Sequence, residues 1–159
     1  VECLNGYRLK ERLPENLLEY TVPLGIPEIV KEGSDVTIVT YGSTLRVVMD
    51  AVKYLEQDGI SCEVVDVQTL LPFDLEQRIL ESLKKTNRIV FVDEDVPGGA
   101  ASFMFSQVME AQGGYRWLDV APRTITAKAH RPSYGSDGDY FSKPNAEEIE
   151  SVIRGMMAE

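Results

Sequence analysis

From residue 35 onward, short apolar runs alternate with amphipathic stretches, and glycine, proline or acidic residues mark most of the breaks. The runs at 36–41, 62–69, 88–93 and 123–129 are too short and too β-branched for helices and predict strands. Between them the spacing turns helical. Residues 44–57 put Leu45, Val48, Val52 and Leu55 on one face, and Gly59 suits the position just past the helix end. Residues 75–85 follow Pro72-Phe73-Asp74, with Asp74 placed to cap and Leu75, Ile79 and Leu83 facing inward. The stretch 100–111 predicts a third helix that is apolar nearly all round. A last helix begins at Asn145, which stands in capping-box spacing with Glu148.

Strands alternating with helices predict an α/β fold, a three-layer αβα sandwich whose sheet is doubly wound and mostly parallel. Residues 1–34 are polar and punctuated by Pro14, Pro23, Gly25, Pro27 and Gly33. They read as a linker arm ending in a short extended segment at 27–31, before the first main strand, and one antiparallel edge strand is expected in the sheet. Residues 35–159 then form the domain.

The 159 residues suit one domain, and no apolar run approaches the roughly 20 residues that span a bilayer. No signal peptide opens the chain, and an initiator methionine is absent, so a fragment or a processed product is expected. Sixteen basic against 26 acidic side chains give a net charge of −10, which argues against nucleic acid and anionic membranes as partners and for a basic protein. Cys3 and Cys62 form no metal or redox motif, which fits a reducing, cytoplasmic setting. One histidine and no cysteine cluster argue against a metal site.

Several stretches invite a chemical reading. Gly42-Ser43 between a strand and a helix resembles a phosphate cradle, but the further glycines of a dinucleotide site and the Gly-Lys-Ser/Thr of a P-loop are missing. Ser43 as a helix cap explains the turn without a ligand. Asp93, Glu94 and Asp95 alternate along a strand end and so do not converge on one ion. Gly98-Gly99 opens the third helix, whose Phe103, Met104, Phe105, Val108 and Met109 exceed what one buried face needs. That helix is either central and buried or in contact with another subunit, and the subunit contact is favoured. His130 stands alone and reads as a hydrogen-bonding residue that orders the loop after it. Asp137-Gly138-Asp139 reads as a turn rather than a calcium loop. Trp117 and Asp119 together could anchor a basic partner. The alternative is that Trp117 and Leu118 are core and Asp119 is their solvated neighbour.

The order VVDVQTLLPFD, VDEDVPGG, LDVAP, followed by HRPSYGSDGDYFSKPN, resembles the C-terminal, transketolase-like domain of the β part of the thiamine-diphosphate-dependent decarboxylase component of 2-oxo acid dehydrogenase complexes. The last stretch is closest to bacterial forms with fused α and β parts. The resemblance implies a non-catalytic domain for subunit dimerisation and for docking the acyltransferase core through its peripheral subunit-binding domain. It assigns the docking acid to Asp119, with Trp117 beside it, although Val120 is inserted before Ala121-Pro122. The dimer contact falls to Gly98, Gly99, Phe103 and Phe105. Thiamine diphosphate and magnesium would belong to the parent protein upstream, so neither a catalytic nor a cofactor-binding residue falls in this chain. His130, where pyruvate-type members carry an aspartate, tilts the substrate towards branched-chain 2-oxo acids. The competing expectations are the C-terminal domain of a transketolase or a deoxyxylulose-phosphate synthase, or a free-standing ligand-binding α/β module.

Overall fold

The computed structural model describes residue 10 and residues 12–131 and 138–159. Five strands form one sheet in the order β1-β3-β2-β4-β5: β1 Glu28–Lys31, β2 Val36–Thr40, β3 Cys62–Asp66, β4 Ile89–Val92 and β5 Arg123–Ile125. Only β1 runs antiparallel, pairing with β3 at the edge, and every other pairing is parallel. The inner strands are buried on both faces, so helices must cover both. On one face α1 (Thr44–Gln57) and α5 (Ala146–Ala158) pack on Val36, Ile38, Val64, Val90 and Val92. On the other, α2 (Arg78–Thr86) and α3 (Ala100–Phe105) pack on Val39, Val65, Ile89 and Phe91. A short helix α4, Gly138–Ser142, precedes α5. Among the described residues no helix is long and apolar enough to cross a membrane.

The architecture is the expected one, with the antiparallel edge strand in place, but several local boundaries differ. The strand expected over 62–69 stops at Asp66, because Gln68 takes φ 57° and leaves the ladder. The strands expected at 88–93 and 123–129 shorten to β4 and β5. Helix α2 starts at Arg78 rather than residue 75, since Asp74 (φ 38°) and Gln77 (φ 55°) turn the chain first. Asp74 still caps: its carboxylate accepts from the backbone N–H of Arg78 at 2.8 Å and of Ile79 at 3.1 Å. Leu75, expected to face inward, is exposed, whereas Ile79 and Leu83 are buried. Ser43 makes no cap hydrogen bond. At the other end, Asn145 accepts from Glu148 N–H at 2.9 Å, as the capping box requires.

The third helix is α-helical only to Phe105, and residues Ser106–Ala111 continue it with wider π turns. Ala101, Met104, Val108 and Met109 are buried. Phe103 and Phe105 are half-buried and meet aromatic partners of the same domain. Phe103 lies edge-on to Phe73 at 5.7 Å, and Phe105 to Phe91 at 5.8 Å and Tyr115 at 6.2 Å.

One ionic cluster fastens the edge strand. Glu63 of β3 is fully buried, accepts from Gly33 N–H at 3.2 Å and is bridged by Lys85 of α2, which also holds Glu32 at 2.8 Å. A Cβ at Gly33 would lie 2.1 Å from the Cys62 carbonyl carbon, so only glycine lets the two backbones approach this closely. The carboxylates of Glu32 and Glu63 push the Lys85 ammonium above its ordinary value of 10.5. A raised lysine pKa stabilises the fold fully below that value, and the contribution disappears only as pH climbs through the raised one.

Two outcomes follow for stability. Phe91→Ala removes a fully buried ring from the central sheet and should cost about 3–5 kcal/mol, seen as a lower urea midpoint with an unchanged slope. Lys85→Met leaves the Glu63 carboxylate uncompensated and should cost about 2–3 kcal/mol, somewhat less than for a fully buried pair because the ammonium is partly in water. Glu63→Leu together with Lys85→Met should recover most of that loss, measured by the same unfolding curves at neutral pH.

Candidate docking surface

The segment carrying Trp117 and Asp119 is placed by the elements on either side of it. Gly113, at φ 77°, turns the chain out of the π turns, and Gly114 begins a 3-10 turn, Gly114–Trp117, against Val108, Leu83 and Met109. Beyond it Leu118 packs into the core on the α2 side of the sheet and Val120 into the core on the α1 side. Two neighbours anchored on opposite faces leave Asp119 between them pointing outward, with 61% of its side chain exposed. Trp117 is 41% exposed, so the all-core alternative holds only for the half-buried Leu118.

The last turn of α2 fixes this segment from below. Asn87 ends the helix in the left-handed region at φ 56°. Its side-chain amide donates to the Trp117 carbonyl at 2.8 Å, and its own carbonyl accepts from Asp119 N–H at 2.9 Å. Lys84 Nζ stands 5.4 Å from the centre of the Trp117 ring, and Arg88 Nη1 is 3.9 Å from Asp119 Oδ2. Lys84, Asn87 and Arg88 carried no mark in the sequence, because their contacts reach across some thirty residues.

The other candidate residues lie elsewhere. Gly98, at φ 97°, is exposed, Gly99 is half-buried, and together they lead into α3. That entry is held by Asp93, which is fully buried and accepts from Tyr41 Oη at 2.7 Å, Ala101 N–H at 2.8 Å and Asp95 N–H at 3.1 Å. Burial, reinforced by the Asp93 carboxylate, pushes the Tyr41 phenol well above its usual range. His130 is exposed, and its Nδ1 lies 2.8 Å from the carbonyl of Arg131, the first residue of the following loop. Residues 132–137, including Asp137, lie outside the described residues, whereas Gly138 starts a helix rather than continuing a turn.

The strand order reverses direction between β2 and β4, and a crevice of about 380 Å³ opens beside their carboxyl ends, where open α/β sheets usually bind ligands. Its walls include Ser43, Val47, Glu94, Lys143 and Ala146. Ser43 Oγ donates to Glu94 at 2.9 Å, and Lys143 Nζ is 3.2 Å from the same carboxylate. Glu94 thus stands beside the start of α1, held by a hydroxyl and an ammonium. Among the described residues no group of three His, Cys, Asp or Glu could hold a metal ion.

The model of the family described as Transketolase, C-terminal domain, matches residues 25–149. The chain is 47% identical over 135 residues to the pyruvate dehydrogenase E1 component subunit beta of Rickettsia felis, covering 84% of the chain and 40% of that protein. It is 39% identical over 157 residues to the 2-oxoisovalerate dehydrogenase subunit beta of Bacillus subtilis, covering 96% of the chain and 46% of that protein. A solved split-gene transketolase, described as an inactive β4 tetramer, superposes with a TM-score of 0.68 at 23% identity, over 88% of this chain and 45% of that one, which speaks to the fold alone. The chain spans less than half the length of these relatives. It belongs to the transketolase C-terminal domain family, and its relatives include the β subunits of 2-oxo acid dehydrogenase E1 components.

Proposed function

We propose that this chain is the association and docking domain of the decarboxylase component of a cytoplasmic 2-oxo acid dehydrogenase complex. One observation carries the reading: an outward carboxylate, Asp119, is pinned between two core anchors and flanked by an exposed indole, Trp117. A rigid aromatic beside an acid is a common composition for a protein-binding hot spot. The net charge of −10 favours encounter with a basic partner. The partner is the peripheral subunit-binding domain of the acyltransferase core.

A second copy, or a partner subunit of the parent protein, packs across Gly98-Gly99 and the half-buried Phe103 and Phe105. The parent carries thiamine diphosphate and magnesium upstream of this chain. That cofactor supplies the carbanion chemistry of 2-oxo acid decarboxylation when bound. The chain itself associates, positions and docks. Our preferred substrate for the parent is a branched-chain 2-oxo acid. The alignment with the 2-oxoisovalerate relative, which runs over 96% of the chain, supports that choice without separating it from pyruvate. Cys62, a free and buried thiol whose pKa burial pushes up to about 12, suits a reducing compartment.

Calorimetric titration of the dimeric protein with the peripheral subunit-binding domain should give binding that weakens as salt rises. Asp119→Ala should weaken it by about 2 kcal/mol or more, roughly 30-fold in Kd. Equal affinities for the wild type and Asp119→Ala, both dimeric by sedimentation, would remove Asp119 from the docking role.

A further inference from the structure

The two exposed groups assigned to docking each already face a cation of the chain itself. Lys84 Nζ stands over the Trp117 ring at 5.4 Å, and Arg88 Nη1 approaches Asp119 at 3.9 Å. Both contacts are loose. The first is close to the roughly 6 Å limit of a cation–π contact, and Lys84 is shared with Glu81 at 2.6 Å. The second is at the edge of an ion pair and is not bidentate. Arg88 does not close further: its side chain is only 24% exposed, and its buried Nε has no hydrogen-bond partner among the described residues. Asn87, between the two cations, holds the backbone of the docking segment on both sides of Leu118. The backbone that carries the ring and the carboxylate is therefore fixed in place, and neither cation is locked to them by a close pair.

We infer that Lys84 and Arg88 are internal stand-ins for the partner's cations, so that a basic segment docks by displacing them. The inference rests on the docking reading of Asp119 and deepens it by naming the chemistry recognised. Lys84 lies in the last turn of α2 and Arg88 follows its C-cap Asn87, and the ring and the carboxylate they face are two residues apart on one segment. The matching partner element is a basic segment that presents two cationic side chains. One lies flat on Trp117, and the other, best an arginine, forms the two-pronged pair with Asp119 that Arg88 does not. The stand-ins lower the affinity for that segment and shield the indole and the carboxylate when no partner is present.

The experiment measures Kd for the peripheral subunit-binding domain against the wild type, Lys84→Gln, Arg88→Gln, the double variant and Asp119→Asn, at low and high salt. Lys53→Gln, which removes an exposed cation of α1, controls for net charge. Each stand-in removed should tighten binding roughly twofold to fivefold, the scale of a loose surface pair, and the double variant by roughly tenfold. In the Asp119→Asn background Arg88→Gln should give no gain. Unchanged or weaker binding by the stand-in variants, with Asp119→Asn still weakened, overturns the inference and leaves docking intact. Equal tightening by Lys53→Gln also overturns it, since net charge would then be the cause. An unchanged Kd for Asp119→Asn overturns the docking reading and the inference with it. Circular dichroism checks folding, and Lys84→Gln, at a solvent-facing position, keeps the test decisive if Arg88→Gln unfolds.

Discussion

The fully buried carboxylate of Asp93 is the constraint on which the functional half of the domain depends. A carboxylate removed from water is tolerable only when hydrogen bonds replace the lost solvation, and Asp93 receives three. The Tyr41 hydroxyl ties it to the end of β2, and Ala101 N–H ties it to the first turn of α3. That pair of bonds fixes where α3 begins, and therefore how Met104, Val108 and Met109 reach the sheet. The π turns, the Gly113-Gly114 bend and the 3-10 turn follow from that start, so Trp117 and Asp119 emerge where α2 can clamp them. Glu94, the next residue, turns to the other side and fills the start of α1. One strand end thus both builds the route to the docking segment and lines the strand-end crevice.

Much of this was legible in the chain because burial leaves a period. Val48, Val52 and Leu55 marked α1, Asn145 marked the start of α5, and the unbroken apolar runs marked strands covered on both faces. The errors fall where a side chain acts beyond its nearest neighbours. Asp74 caps α2 across a three-residue turn, so the helix starts later than its apolar spacing suggests. Ser43 has the composition of a cap but bonds to Glu94, fifty residues away in sequence. The π turns after Phe105 have no local composition that announces them. Asp119 was singled out by resemblance. Its cationic neighbours Lys84 and Arg88 were silent, because a surface lysine or arginine has no period and its partner lies on another element.

The described site is spare in reactive groups. Cys62 is buried with its thiol pKa raised, Asp93 is consumed by structural bonds, and His130 Nδ1 lies against the Arg131 carbonyl. What the domain offers instead is a preorganised surface. Asn87 fixes the backbone, Leu118 and Val120 fix the side-chain direction, and Asp119 and Trp117 are presented without a large entropic cost on binding. That arrangement fits the docking role proposed for a chain that matches less than half the length of its dehydrogenase relatives.

The most direct measurement is an amide chemical-shift map of the isotopically labelled protein titrated with the peripheral subunit-binding domain. The largest shifts should cluster at Trp117–Asp119 and at residues 84–88, with the Trp117 indole N–H among them. Shifts centred instead on Ser43, Glu94 and Lys143 would contradict it and make the strand-end crevice, not the Asp119 surface, the place where this domain is recognised.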